Sequence, residues 1–218
     1  MQGRHLIYFS DPMCSWCYGF APVMEEVAAR FGERLPIQLV MGGLRPGTDR
    51  PMTEQARTEI LQHWAHVREA TGQPFDEQVL TERFIYDTDP AARAVVLVRR
   101  LQPGRALAFL HRVQRAFYAE ARDVTSYPVL ADLAAEFGLP REGFLQALAD
   151  PALMRETWGD YALSQNAGVT GFPTLVGGPN EAGVYGVVTR GCAPAEQILQ
   201  VLDEWLERTD GERGIWEG

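Results

Sequence analysis

Residues 5–17 read His5-Leu6-Ile7-Tyr8-Phe9-Ser10-Asp11-Pro12-Met13-Cys14-Ser15-Trp16-Cys17, a short β-prone run closed by Ser-Asp-Pro and followed at once by two cysteines two residues apart. From Ser15 onward Trp16, Phe20, Val23, Met24, Val27 and Phe31 recur at helical spacing. Gly32 is expected to cap that helix, and residues 35–41 read as a second strand entering Gly42-Gly43. A strand, a helix of about four turns and a strand make a βαβ unit with the Cys-x-x-Cys at its first turn. Pro22 falls inside the helix and is expected to kink it, at a cost of about 3 kcal/mol.

Outward from this unit, residues from about 52 to 168 show successive helical patterns and no convincing strand. Asp89-Pro90 and Asp150-Pro151 each set a capping carboxylate ahead of a proline at the first helical position, and Ser126 opens another helix. The stretch 105–122 is amphipathic, with Leu107, Leu110, Val113, Phe117 and Tyr118 along one side. β-signals return at 174–176 and 184–188 around a Gly-, Pro- and Asn-rich connection, which predicts a hairpin with a long loop. Pro194 then opens a last helix with an apolar stripe of Ile198, Leu199, Leu202, Trp205 and Leu206, and residues 209–218 are expected to be a poorly ordered tail. The organisation expected is an α/β domain made of 1–48 and 169–208, interrupted by a helical insertion over 49–168.

Composition narrows the function. The chain has 218 residues, 46% hydrophobic, enough to bury a core without staples. Its 20 basic residues are all Arg, and against 29 Asp and Glu the formal charge is −9, which opposes a phosphate backbone or an anionic bilayer. Neither nucleic acid nor membrane is expected as a partner. The run 5–10 is too short for a signal peptide and no stretch approaches a membrane span, so a cytoplasmic location is expected. Three cysteines make no disulfide framework, and in a reducing compartment the spaced pair points to chemistry or to metal.

Cys14 is expected at the helix N-terminus, where unpaired amides and the positive end of the helix dipole stabilise a thiolate. Cys17, one turn further in, is expected to be shielded. Cys14 would attack a substrate disulfide and Cys17 would resolve the mixed disulfide. A zinc site would need two further ligands, and the spaced pair on offer, His63 and His66, is more simply a solvated helix face.

The segment 9–17, together with Gly168-Val169-Thr170-Gly171-Phe172-Pro173-Thr174-Leu175 far downstream, resembles DsbA-type thioredoxin-fold oxidoreductases, and among them the FrnE-like, non-secreted disulfide isomerases. The resemblance covers residues 5 to 208. It implies a thioredoxin-like α/β fold with a large all-helical insertion, and a cis peptide bond from Phe172 to Pro173 lying against the Cys-x-x-Cys turn. The exposed backbone of Phe172 would then pair with an extended substrate. Disulfide-bearing proteins or peptides are the implied partners, with glutathione or a thioredoxin-type reductant as the candidate electron source, and no bound cofactor. The insertion would form a lid over the pair.

Several residues carry two readings. Trp16 either packs against substrate or covers the helix end. Asp11 either shuttles a proton or, more simply, makes local backbone bonds in its turn. Cys192 is read as a small apolar filler at a helix start rather than a thiol that rescues trapped intermediates, and Gly42, Gly43 and Gly47 as turn glycines rather than a phosphate cradle. The rival function is a glutathione-dependent enzyme of the kappa-transferase or 2-hydroxychromene-2-carboxylate isomerase type, which resembles the same fold but generally has Ser where Cys14 stands; a third is a chaperone-like binding module. Because Ser15-Trp16 places no His between the cysteines, equilibration with glutathione should give a potential more reducing than the roughly −120 mV of the periplasmic oxidant. A value at or above that figure contradicts this reading.

Overall fold

Leu6, Tyr8 and Ser10 alternate with Ile7 and Phe9, and all but Ile7 are fully buried, as a strand covered on both faces requires. The computed structural model describes residues 3–180 and 182–214, with side chains described as far as residue 208. In chain order the elements are β1 (His5–Ser10), α1 (Ser15–Phe31), β2 (Ile37–Met41), α2 (Glu54–Thr71), α3 (Asp89–Leu101), α4 (Ala106–Tyr118), α5 (Tyr127–Ala135), α6 (Arg141–Leu148), α7 (Pro151–Asn166), β3 (Thr174–Gly178), β4 (Gly186–Arg190) and α8 (Ala195–Gly214). The sheet runs β2-β1-β3-β4, with β1 parallel to β2 and antiparallel to β3, and β3 antiparallel to β4. This is a thioredoxin-type sheet with six helices inserted between β2 and β3. Among the described residues no helix is long and apolar enough to cross a membrane.

Helix α1 runs unbroken through Pro22. The proline has no N–H to offer Tyr18, and the Tyr18 carbonyl is reached instead by the Gln73 side chain beyond α2, at 3.5 Å. The aromatic centre of the helical block, Trp64, Phe75, Phe117 and Tyr118, packs edge-to-face, with Trp64 and Phe75 tilted, at 4.8 to 5.6 Å between ring centres. It reaches α1 through Tyr18, stacked on Tyr118 at 5.0 Å.

Two expectations for the helix ends part company. Asp150 caps α7 as expected, its carboxylate accepting from the Ala152 amide at 2.8 Å. Asp89 does not cap α3. It is already the first helical residue, and its carboxylate accepts instead from Arg93, Trp158 Nε1 and the Tyr161 hydroxyl, because the insertion folds α7 against it. At the other end, α8 continues to Gly214, six residues into the segment expected to be a poorly ordered tail; residues 215–218 lie outside the described residues.

The edge strand β2 is sealed by the insertion. Its Leu39 carbonyl accepts from Arg99 of α3 at 2.6 Å, and its Met41 amide donates to Asp160 of α7 at 2.9 Å. Arg99 and Asp160 are themselves paired at 2.6 and 3.1 Å. An edge that would otherwise offer free backbone groups is thus closed by one ion pair. Asp160→Ala leaves the buried Met41 amide without its acceptor and Arg99 with only the Leu39 carbonyl and Glu156, and is expected to lower the unfolding free energy by about 3 kcal/mol. Denaturant titration checks this; a loss below about 1 kcal/mol would show that the pair does not hold the edge.

Candidate active site

The turn after β1 places Cys14 as the N-cap of α1, in extended conformation, with its amide bonded back to the Asp11 carbonyl at 3.1 Å. No acidic residue occupies the first turn of α1. Both cysteines are free thiols. Cys14 is 7% exposed and Cys17 wholly buried. Burial first, and then the neighbouring Cys14 sulfur, push the Cys17 thiol well above its ordinary range. The two sulfurs therefore stand in unlike surroundings one helical turn apart.

The Phe172–Pro173 peptide bond is cis. The Phe172 carbonyl accepts from Cys14 Sγ at 3.6 Å, so two segments 158 residues apart in sequence meet at the reactive turn. The Phe172 ring lies on Gly42 so closely that a Cβ there would stand 2.1 Å from a ring atom. Gly43 has a positive φ of 70° and its own close neighbour, the Tyr161 ring. These glycines are more than turn residues, because Gly42 is the floor on which the Phe172 side chain rests. The doublet at the end of a strand was visible in the sequence, but its partner was not.

Asp11 is fully buried. One carboxylate oxygen accepts from the Met13 amide at 2.9 Å, the local bond expected of it, and the other from the Leu44 amide at 2.8 Å, across to the loop after β2. That loop is further held by Arg45 N donating to the Thr88 hydroxyl and Gly47 N donating to Asp87. Tyr86, which the sequence did not single out, donates to the Met13 carbonyl at 2.8 Å, and the Arg45 guanidinium lies over its ring at 5.2 Å.

A cleft of about 460 Å³ opens over the turn, lined by Cys14, Trp16, Arg45, His63, Tyr86 and Phe172 among others. Trp16 is half-buried in its wall. His63 and His66 of α2 are exposed, but they are not merely solvated: their rings stand edge-on to Trp16 at 6.0 and 5.6 Å. Cys192 is exposed, which corrects its reading as a small apolar filler at a helix start. Its loop is tied to the cis proline, Gly191 N donating to the Pro173 carbonyl at 2.7 Å.

A thioredoxin-type fold carrying a thiol pair at a helix N-terminus, faced by a cis-proline loop, defines the disulfide oxidoreductase class. Residues 5–197 match the model of the DSBA-like thioredoxin domain, and the chain belongs to that family. Among solved structures it is similar to a candidate protein disulfide isomerase from Nitrosomonas europaea, at 36% identity and a TM-score of 0.87, covering 95% of this chain and 99% of that one. It is also similar to the cytosolic disulfide reductase DsbM from Pseudomonas aeruginosa, at 29% identity and a TM-score of 0.72 over 97% and 99% of the two chains; a DsbM structure with glutathione matches at 28% and 0.73 over 92% and 98%. A curated relative, the ClpXP adapter protein SpxH of Halalkalibacterium halodurans, is 22% identical over 91% of this chain, which spans 66% of that relative's length.

Burial raises the Asp11 carboxyl from its ordinary 3.8 to about 6, against the two amides and the Thr88 hydroxyl that favour its ionised form. Because folding raises this pKa, the group's contribution to stability is whole below about pH 4 and is lost as the pH rises through about 6. Carboxyl-selective NMR should find one Asp titrating near pH 6, absent from Asp11→Asn; a midpoint near 4 would contradict the buried setting.

Proposed function

We propose that this protein is a thiol–disulfide oxidoreductase that exchanges disulfides with protein or peptide substrates through Cys14 and Cys17. The observation that carries the reading is the position of Cys14: a helix N-cap at the floor of an open cleft, its sulfur facing the Phe172 carbonyl, with Cys17 buried behind it. Phe172, Pro173 and Trp16 are its substrate-binding residues, with the Phe172 backbone as the docking edge for an extended peptide. The Cys14 thiolate attacks a substrate disulfide, forming one S–S bond and releasing one substrate thiolate. Cys17 then attacks Cys14, closing the internal disulfide and releasing the second substrate thiol. Two electrons pass to the substrate, and a thiol reductant restores the pair.

Glutathione or a thioredoxin-type partner fits that last role, and the relative crystallised with glutathione supports the first. The name of that relative, a cytosolic reductase, also favours a cytoplasmic setting and net reduction over oxidation, consistent with the FrnE-like group. The cysteine at position 14 disfavours the kappa-transferase and chromene-carboxylate isomerase alternative.

Reduction of insulin by dithiothreitol tests the reading. Cys14→Ser should abolish the catalysed rate, falling about 100-fold or more, and Cys17→Ser should accumulate a mixed disulfide with insulin on Cys14. Full activity in Cys14→Ser would sink it, whereas protection of unfolded protein that survives this change would favour a binding module instead.

A further inference from the structure

Two hydroxyls on β1 have no task in the exchange described so far. Tyr8 and Ser10 are two residues apart on the strand, so they share a face, and that face is the one turned toward α1, since the Tyr8 ring lies tilted against Phe20 at 6.2 Å. Both side chains are fully buried, and neither hydroxyl makes a hydrogen bond with a described group. A buried hydroxyl without a partner is destabilising, because it has given up its bonds to water for none in the protein. Phe and Ala would fill the same places without that cost.

The sulfur that acts on Tyr8, and on which Ser10 acts, is that of Cys17. Cys17 stands three residues before Phe20 on α1, on the side of the helix whose Phe20 meets the Tyr8 ring, and is wholly buried. The electrostatics agree. Burial, followed by the Cys17 sulfur, pushes the Tyr8 phenol well above its ordinary range, while the Ser10 hydroxyl favours the anionic forms of Tyr8 and Cys17 alike. The nearest carboxylate in the turn, Asp11, has both oxygens committed to the Met13 and Leu44 amides.

We infer that Tyr8 and Ser10 are a buried pair of hydrogen-bond donors that receives the Cys17 sulfur as it becomes an anion, which makes both residues part of the resolving step. The inference rests on the dithiol exchange proposed above. In that step the Cys17–Cys14 bond forms, the bond from Cys14 to the substrate sulfur breaks, and the proton of Cys17 ends on the departing substrate thiolate. Tyr8 and Ser10 keep their own protons and turn them toward the sulfur. In the reverse direction, when the internal disulfide is opened at Cys14, the same two donors receive Cys17 as the leaving thiolate. Hydroxyls suit the place because, unlike a carboxylate, they add no negative charge beside a forming thiolate.

The test is stopped-flow reaction of the reduced, full-length protein, in a Cys192→Ser background, with dithiobis(nitrobenzoate), whose released thiolate is coloured. The first, concentration-dependent phase reports attack by Cys14, and the second, concentration-independent phase reports resolution by Cys17. Tyr8→Phe and Ser10→Ala should each slow the second phase about tenfold near neutral pH and move its pH midpoint upward by about one unit. The first phase should stay unchanged and the thermal midpoint should not fall, because an unpaired hydroxyl has been removed. A second phase with unaltered rate and pH profile in both variants, or parallel losses in both phases, would overturn the inference alone. Absence of any second phase in the parent protein would overturn the dithiol reading and the inference together.

Discussion

The contact between the Cys14 sulfur and the Phe172 carbonyl is the constraint around which the molecule is organised. It joins the first turn of the first helix to a loop that follows the whole helical insertion, and it exists because β3 pairs with β1 in a register that sets Thr174 opposite Phe9. Each side is separately held. The Cys14 side is fixed by Asp11 and Tyr86 acting on Met13 and on the loop after β2; the Phe172 side is fixed by Gly42 beneath its ring and by Gly191 bonded to Pro173. Side chains locked by buried contacts and fixed backbone are what a reaction sensitive to ångström-scale placement needs.

The same arrangement divides the labour between the sulfurs. Cys14 lies at the boundary between protein and cleft, where a helix end concentrates unpaired amides. Cys17 lies one turn deeper, against β1, where ionisation is opposed by burial. The insertion contributes on the outer side, since α2 brings Glu59, Ile60 and His63 to the cleft while α3 and α7 close the sheet edge on which the loop after β2 depends.

Local signals in the sequence were reliable where the structure uses them locally. The helical recurrence after Ser15 and the Asp150-Pro151 start describe elements whose hydrogen bonds close within a few residues, and the β-prone run of 5–10 marks a strand although its partners β2 and β3 are remote in sequence. They failed where a side chain is claimed by a distant partner. Asp89-Pro90 has the same local pattern as Asp150-Pro151, yet its carboxylate goes to Trp158 and Tyr161, some seventy residues on. Gly42 looked like a turn because its neighbour, the Phe172 ring, is remote in sequence. Asp11 showed its Met13 bond but not the Leu44 bond that crosses between loops, and nothing about His63 and His66 foretold Trp16. The cis bond at Pro173 came from family resemblance rather than from spacing, and the structure has it.

The account depends on the two thiols being chemically unequal, and competitive alkylation measures that inequality without any assumption about substrate. The reduced protein, treated at neutral pH with less than one equivalent of iodoacetamide per thiol and mapped by mass spectrometry, should carry its label on Cys14 well before Cys17, with exposed Cys192 as the internal reference. Equal labelling of Cys14 and Cys17 throughout the time course would contradict the arrangement on which everything else has been built.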